Sequence, residues 1–415
     1  MQADSLSIQN ADSAATSEVA VPEPSALAVR YHRSGNALWA AATLLDLALP
    51  AALLFTGISA RVRRTAERLA RSRRFATIAV YAVAYVLIQA LVFLPLSWYA
   101  GYVRQHAYGL STETLGAWAG DWAKAVAISA VVAALLLWIP YWMLRLSPRR
   151  WWLWTGLLTA PLTVLAMIVL PVYIAPLFDD YGRMRDPALE QRIARLAARA
   201  GIPDSRIYEV RKSEETRQVN AYVAGFGDAK RIVLWDTLVD RLQPDEVEFV
   251  VGHEIGHFVL RHTLTIIVIA TLLVTLSLWA VHRVAGWLIA GFRGRFGFDR
   301  LDDVASLPLL ALVGGVVMLA ATPAALALSR WQEREADRFG LEITRANNAA
   351  ARSFVRLQED NLAVPRTGPL FRLWRASHPD LADRIEFANR YSPWVRGKPL
   401  RYGARFRAAD PAPAP

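Results

Sequence analysis

Six runs of apolar residues, at 37–60, 75–98, 120–144, 151–177, 263–285 and 305–329, are separated by short arginine-bearing connections and two longer polar stretches. Each run is long enough to cross the roughly 30 Å hydrocarbon core of a bilayer as a helix. Aromatic residues stand at their ends, as Trp98-Tyr99, Trp138 with Tyr141-Trp142, and Trp151-Trp152 with Trp154, where interfacial anchors belong. Pro140, Pro161, Pro171 and Pro176 predict kinks. The polar stretches, 178–262 and 330–400, must face the same compartment, because one outward and one returning span separate them. Within the first, residues 187–200 carry Leu189, Ile193 and Leu196 on one helical face, and 206–210, 219–223 and 231–235 read as short strands. Residues 1–35, rich in Ala, Ser and acidic side chains, predict a disordered tail that is neither signal peptide nor span, and the Ala/Pro end from about 408 reads likewise.

Composition agrees with this pattern. Of 415 residues 54% are hydrophobic and 20% charged, the profile of a polytopic membrane protein. The net charge of +11 comes from arginines that flank the apolar runs, so it reports membrane topology and no nucleic-acid partner is expected. There is no cysteine, which removes disulfides, thiolate ligands and thiol nucleophiles. Any metal must be held by His and carboxylates.

Such a set stands at His253-Glu254-Ile255-Gly256-His257. On a helix, positions four apart lie about 40° apart, so both imidazoles can address one tetrahedral metal. Glu254, beside the open coordination position, can act as general base. Pro244, Asp245 and Glu246 supply a helix start upstream. A lone H-E-x-x-H also arises by chance on an amphipathic helix.

A catalytic zinc takes three protein ligands, so a third must come from elsewhere. His262, five residues past His257, lies about 140° around a continuous helix and reads as an ordinary polar residue at the interface. Glu333 and Asp337, at i and i+4 directly after the last span, are better placed: one carboxylate can ligate while the other orients a ligand imidazole. Glu335 points about 160° away from that face and reads as equally compatible with solvation.

Taken together, these residues resemble the type 1 CAAX prenyl proteases, integral-membrane gluzincin metalloendopeptidases, over about residues 36–395. The matching stretches are 173–178, Asn220-Ala221-Tyr222, 231–238, the His253–His257 motif, Glu333 to Asp337, and Ser377-His378-Pro379 with Arg384. The resemblance implies one Zn2+ per chain on His253, His257 and Glu333, Glu254 as catalytic base and Asp337 as a partner behind the ligands. It also implies His378 and Arg384 as oxyanion-stabilising and substrate-positioning residues. Asn220, Ala221 and Tyr222, in an expected strand, could offer backbone groups to an extended peptide.

The expected fold class is mainly α: a polytopic membrane helix bundle or barrel of about six spans with a small α+β zinc metalloprotease domain. The expected divisions are a tail at 1–35, a four-span membrane domain at 36–177, a zinc peptidase domain at 178–400 that includes spans 263–285 and 305–329, and a tail at 401–415. The expected function is zinc-dependent hydrolysis of membrane-associated or CAAX-type peptides, with a protein substrate, lipidated or not, and the bilayer as partners. The alternatives are a membrane quality-control protease of the heat-shock type and, from another class, a transporter or non-catalytic scaffold. The expected location is the cell (inner) membrane in a bacterial host. On its side, two signals disagree. Arginines crowd 61–74, 145–150 and 283–300, opposite the motif, which would put the site outside the cytoplasm. The resemblance would put it on the cytosolic side.

Overall fold

The computed structural model describes residues 18–224 and 230–407. Helices α1 (Ala26–Phe55), α2 (Ile58–Leu69), α3 (Arg74–Ala107), α4 (Leu115–Leu146) and α5 (Trp151–Leu177) come first. Strand β1 (Tyr181–Gly182), helix α6 (Pro187–Arg199) and strands β2 (Arg206–Val210), β3 (Ala221–Ala224) and β4 (Arg231–Trp235) follow. The chain continues through α7 (Asp236–Arg241), α8 (Pro244–Val259), α9 (His262–Phe296) and α10 (Leu307–Thr344). It closes with α11 (Asn347–Asp360), α12 (Pro369–Trp374) and α13 (Leu381–Arg390).

Among the described residues, six helical stretches are long and apolar enough to cross a membrane, at the six expected places. They run past the apolar windows because hydropathy marks the bilayer edge, whereas a helix continues through polar residues until a cap or breaker stops it. The N-terminal expectation is corrected on this ground. Ser25 Oγ accepts the Ala28 amide at 3.0 Å and α1 starts at Ala26, inside the segment expected to be a tail. Val19 is also tied down, with its amide donating to Asn389 Oδ1 at 3.2 Å and its carbonyl accepting from Asn389 Nδ2 at 2.9 Å. Residues 1–17 and 408–415, where the rest of the two expected tails falls, lie outside the described residues. Arg407 still donates its amide to the Arg199 carbonyl.

The chain divides into two compact units. One comprises Ser34–Ala166 and Thr265–Ala325; the other Met1–Arg33, Met167–Leu264 and Leu326–Pro415. The spans at 263–285 and 305–329, grouped with the peptidase segment on sequence, thus belong largely to the same unit as the first four.

The first unit is helical. The most apolar stretches of α4 and α5 bury none of their residues within the chain, and Leu135, Trp154 and Leu165 stand exposed, as lipid-facing side chains do. The prolines break the helices one turn upstream, where a carbonyl loses the donor that the proline nitrogen lacks: α4 is interrupted at Leu137 before Pro140, and α5 at Leu158 before Pro161. Around Pro171, α5 widens into a π-helical turn, Leu170–Ile174. Helix α2 and the loop ahead of α10 share one end of the unit. Arg63 pairs with Asp303, and the buried Ser59 hydroxyl donates to the Ala305 carbonyl at 2.6 Å while meeting Tyr81 Oη at 2.7 Å. Arg145 pairs with Asp302 at 3.5 Å, and Arg74 Nη2 donates to the Tyr141 carbonyl at 3.2 Å. Arginines of 61–74 and 145–150 therefore gather at this end.

The second unit holds a four-stranded sheet in the order β1-β2-β4-β3, with β2 and β4 parallel and the outer pairs antiparallel. Its first helix, α6, begins as the sequence demands: Asp186 Oδ1 accepts from the Ala188 and Leu189 amides at 2.9 and 3.2 Å, and Pro187 takes the first turn. Strand β3 starts at Ala221, later than expected, because Asn361 Oδ1 takes the Val219 amide at 3.1 Å and holds that residue off the ladder. Helix α8 carries a capping box between Gln243 and Glu246, and Arg352 bonds Asp245 and Glu246 at 2.7 and 2.8 Å. Its buried face, Val247, Val251 and Ile255, joins Leu234, Phe339, Ile343, Phe354 and Ile385 in the core.

Glycines let α8 and α10 approach closely. A Cβ on Gly340 would stand 3.1 Å from the His253 backbone nitrogen, and one on Gly256 3.1 Å from the Phe339 side chain. The two helices are therefore nearly in backbone contact where the sequence places its histidines and carboxylates.

Candidate metal centre

Helix α8 presents His253 and His257 one turn apart, and α10 presents Glu333 and Asp337 one turn apart towards them. The His253 and His257 Nε2 atoms are 3.2 Å apart, and each lies 3.4 Å from a Glu333 carboxylate oxygen, Oε2 and Oε1 respectively. The three residues form a group whose ligand atoms could surround one ion. Metal–ligand bonds of about 2.0–2.1 Å in a tetrahedron imply ligand atoms about 3.3 Å apart, close to these separations. Glu333 Oε2 is buried and has no hydrogen-bond donor, a costly arrangement unless a cation completes it. The donor set of two imidazoles and one carboxylate therefore fits a borderline divalent metal with an open fourth position.

Behind the ligands, His253 Nδ1 is 2.9 Å from Asp337 Oδ1. Arg384 grips Asp337 with two bonds, Nε to Oδ2 at 2.9 Å and Nη2 to Oδ1 at 2.5 Å, and stacks its guanidinium over Phe354 at 4.2 Å. All three of His253, Asp337 and Arg384 are buried. Burial acts against a charged His253 ring, but the neighbouring Asp337 and Glu333 carboxylates outweigh it and raise its pKa to about 10 while no metal is bound.

Glu254 lines a cavity of about 420 Å³ with His253, His378 and Arg384. Its burial raises its pKa above the ordinary carboxylate value, with the two motif imidazoles pulling the other way. His378 sits at the rim, 57% exposed, with Nε2 3.4 Å from Glu333 Oε1 and Nδ1 2.8 Å from Ser377 Oγ. Apolar walls come from Trp235, Leu238, Phe249, Val250, Phe354 and Leu381. Asn220 and Ala221 also line the cavity. Tyr222 does not: alternation along β3 turns its side chain to the other face, where its hydroxyl meets Tyr181 Oη at 3.0 Å.

Seven expected residues, His253, Glu254, His257, Glu333, Asp337, His378 and Arg384, thus converge. Three readings change. Arg384, expected beside the substrate, spends Nε and Nη2 on Asp337. Glu335 is buried rather than solvated, bonded by the Tyr402 hydroxyl and by Arg338, and by Arg401 Nη2 at 2.9 Å. His262, taken for an interfacial polar residue, is buried with Nδ1 2.9 Å from His257 Nδ1. One continuous helix would turn it about 140° away from His257. Arg261, at φ 57°, ends that continuity between α8 and α9.

Residues 183–392 match the model of peptidase family M48, and residues 16–180 match that of the CAAX prenyl protease N-terminal region, described as having five membrane helices. An uncharacterized metalloprotease of Bacillus subtilis, YhfN, is 35% identical over 89% of this chain and 86% of its own. CAAX prenyl protease 1 of Saccharomyces cerevisiae is 27% identical over 72% of this chain and 69% of its own. The Arabidopsis thaliana homologue is 30% identical over 70% and 68%. The crystal structure of S. mikatae Ste24p superposes with a TM-score of 0.75 at 23% identity, covering 86% of this chain and 87% of that one, which shows a shared fold. The chain belongs to peptidase family M48 and is a membrane metalloprotease of the CAAX prenyl protease family.

Proposed function

We propose that this metalloprotease is a zinc-dependent endopeptidase that cleaves extended, membrane-associated or CAAX-type peptides. The observation that carries the reading is the close approach of the His253 and His257 Nε2 atoms to each other and to the two Glu333 carboxylate oxygens, with Glu254 on the adjoining cavity wall. Zinc held by those three residues would polarise the scissile carbonyl and lower the pKa of a water molecule to about 7.

The protein groups do the rest. Glu254, its pKa raised by burial, accepts a proton from the attacking water and delivers it to the leaving amine. His378 can donate from Nε2 to the oxyanion, since the Ser377 hydroxyl can satisfy Nδ1 at 2.8 Å. Asp337 holds the His253 ring with Nε2 turned to the metal, and Arg384 holds Asp337.

Strand β3 is the terminal strand of the sheet order, so it can accept a peptide as a further strand. The Asn220 carbonyl accepts from the Trp235 amide, so alternation turns the Ala221 carbonyl and both backbone groups of Val223 to the outer edge, while the Ala221 amide donates to Asn220 Oδ1 at 2.9 Å. The apolar cavity wall favours an aliphatic or aromatic side chain beside the scissile bond. The test is a peptide library, farnesylated and unmodified, incubated with the purified chain. Cleavage beside apolar residues, abolished in Glu254→Gln, is expected; equal cleavage beside Asp or Lys would count against the cavity as the specificity pocket.

A further inference from the structure

The two motif histidines are oriented by different means. His253 presents Nδ1 to the Asp337 carboxylate at 2.9 Å, whereas His257 presents Nδ1 to a second imidazole, that of His262, at the same 2.9 Å. Two ring nitrogens at that distance share one hydrogen: one donates and the other accepts. The Nε2 of His257 faces His253 Nε2 and Glu333 Oε1, at 3.2 and 3.4 Å, and must keep its lone pair free to ligate. Its hydrogen therefore sits on Nδ1, and the acceptor is His262 Nδ1.

We propose that His262 is a positioning residue that fixes the tautomer and ring orientation of His257 for metal binding. The inference rests on the reading of His253, His257 and Glu333 as ligands. His262 is only 4% exposed, opens helix α9 directly after the left-handed turn at Arg261, and has Trp331 against its ring at 6.4 Å between centroids. Gln332 Nε2 donates to its backbone carbonyl at 3.5 Å. Its position is thus set by the α8–α9 junction and by the turn of α10 that carries Glu333. A neutral imidazole also suits the electrostatics. Glu254, Glu333 and Asp337 already place three carboxylates around the site against the guanidinium of Arg384 and the imidazole of His253, so a further anion behind His257 would add to an excess of negative charge.

The test uses the full chain in detergent and zinc itself, with affinity read by competition against a chelator. His262→Phe keeps a ring but no acceptor; His262→Asn keeps an acceptor near the Nδ1 position. The Phe variant is expected to bind zinc about 10–100-fold more weakly, as loss of an outer partner does, and the Asn variant within about threefold of wild type. Cobalt(II)-substituted protein should show altered d–d bands in the Phe variant only. His262→Ala gives the same comparison if the Phe variant does not fold. Unchanged zinc affinity in the Phe or Ala variant, or equal weakening in Asn and Phe, overturns the inference alone. Absence of zinc binding by the wild type overturns it together with the underlying ligand assignment.

Discussion

Replacing Asp337 by Asn separates the two tasks that this residue performs. In the native chain its carboxylate, 2% exposed, pairs with Arg384, itself 7% exposed, through bonds of 2.5 and 2.9 Å, and takes His253 Nδ1 at 2.9 Å. Asn removes the negative charge and leaves the guanidinium buried without a counter-ion. Breaking a buried pair from one side costs about 3–5 kcal/mol, whereas removing both partners together is often close to neutral. His253 also exchanges a charged acceptor for a neutral amide oxygen, and altering such an outer partner typically costs about 10–100-fold in metal affinity. Asp337→Asn should therefore lower both the thermal midpoint of the detergent-solubilised chain and its zinc affinity. The double variant Asp337→Asn with Arg384→Met should regain most of the stability but none of the affinity. A thermal scan and a chelator competition on the two variants read the two tasks separately. Full recovery of zinc affinity in the double variant would refute the orienting role, and an unchanged midpoint in Asp337→Asn would refute the buried pair as a structural necessity.

Other consequences follow from the same geometry. Gly340→Ala puts a Cβ 3.1 Å from the His253 backbone nitrogen, so α8 and α10 must part by a few tenths of an ångström. Overpacking costs about 1–3 kcal/mol and the Ala helix preference returns about 1 kcal/mol, so stability should change little while zinc affinity falls; Gly340→Val, measured alongside, should lose both. In metal-free protein the pKa of His253 is raised to about 10, so its contribution to stability is complete below the ordinary value of 6.5 and is lost as pH rises through 10. Thermal midpoints with a chelator should accordingly fall between pH 7 and pH 10, and apparent zinc affinity should rise over the same range as the competing proton leaves; a flat profile in both would contradict the His253–Asp337 contact.

Much of this arrangement is legible in the sequence because it depends on local periodicity. The i and i+4 spacing within His253–His257 and within Glu333–Asp337 places each pair on a single helix face, and the two intervening spans return the second pair to the side of the first. Contacts set by distant residues are not legible in that way. Glu335 does point away from the metal, yet it is buried because Tyr402 and Arg401, in the irregular segment after α13, cover it. No pattern in residues 393–407 announces that role. A helix continued through Arg261 puts His262 on the wrong face, because Arg261 is a non-glycine residue whose left-handed conformation the sequence does not signal. Gly252, Gly256 and Gly340 carry the close packing of α8 on α10, but a glycine inside a helix shows its partner only once the partner is in place. The start of α1 at Ala26 escaped a hydropathy reading because Arg30, His32 and Arg33 interrupt the apolar count without interrupting the helix.

The most direct test of the central claim is zinc content and peptidase activity measured together on the purified wild type, Glu254→Gln and His253→Ala. One zinc per chain in the first two, cleavage by the wild type alone, and neither zinc nor cleavage in His253→Ala is the predicted result. Undiminished cleavage by Glu254→Gln, or full zinc occupancy in His253→Ala, would contradict the account.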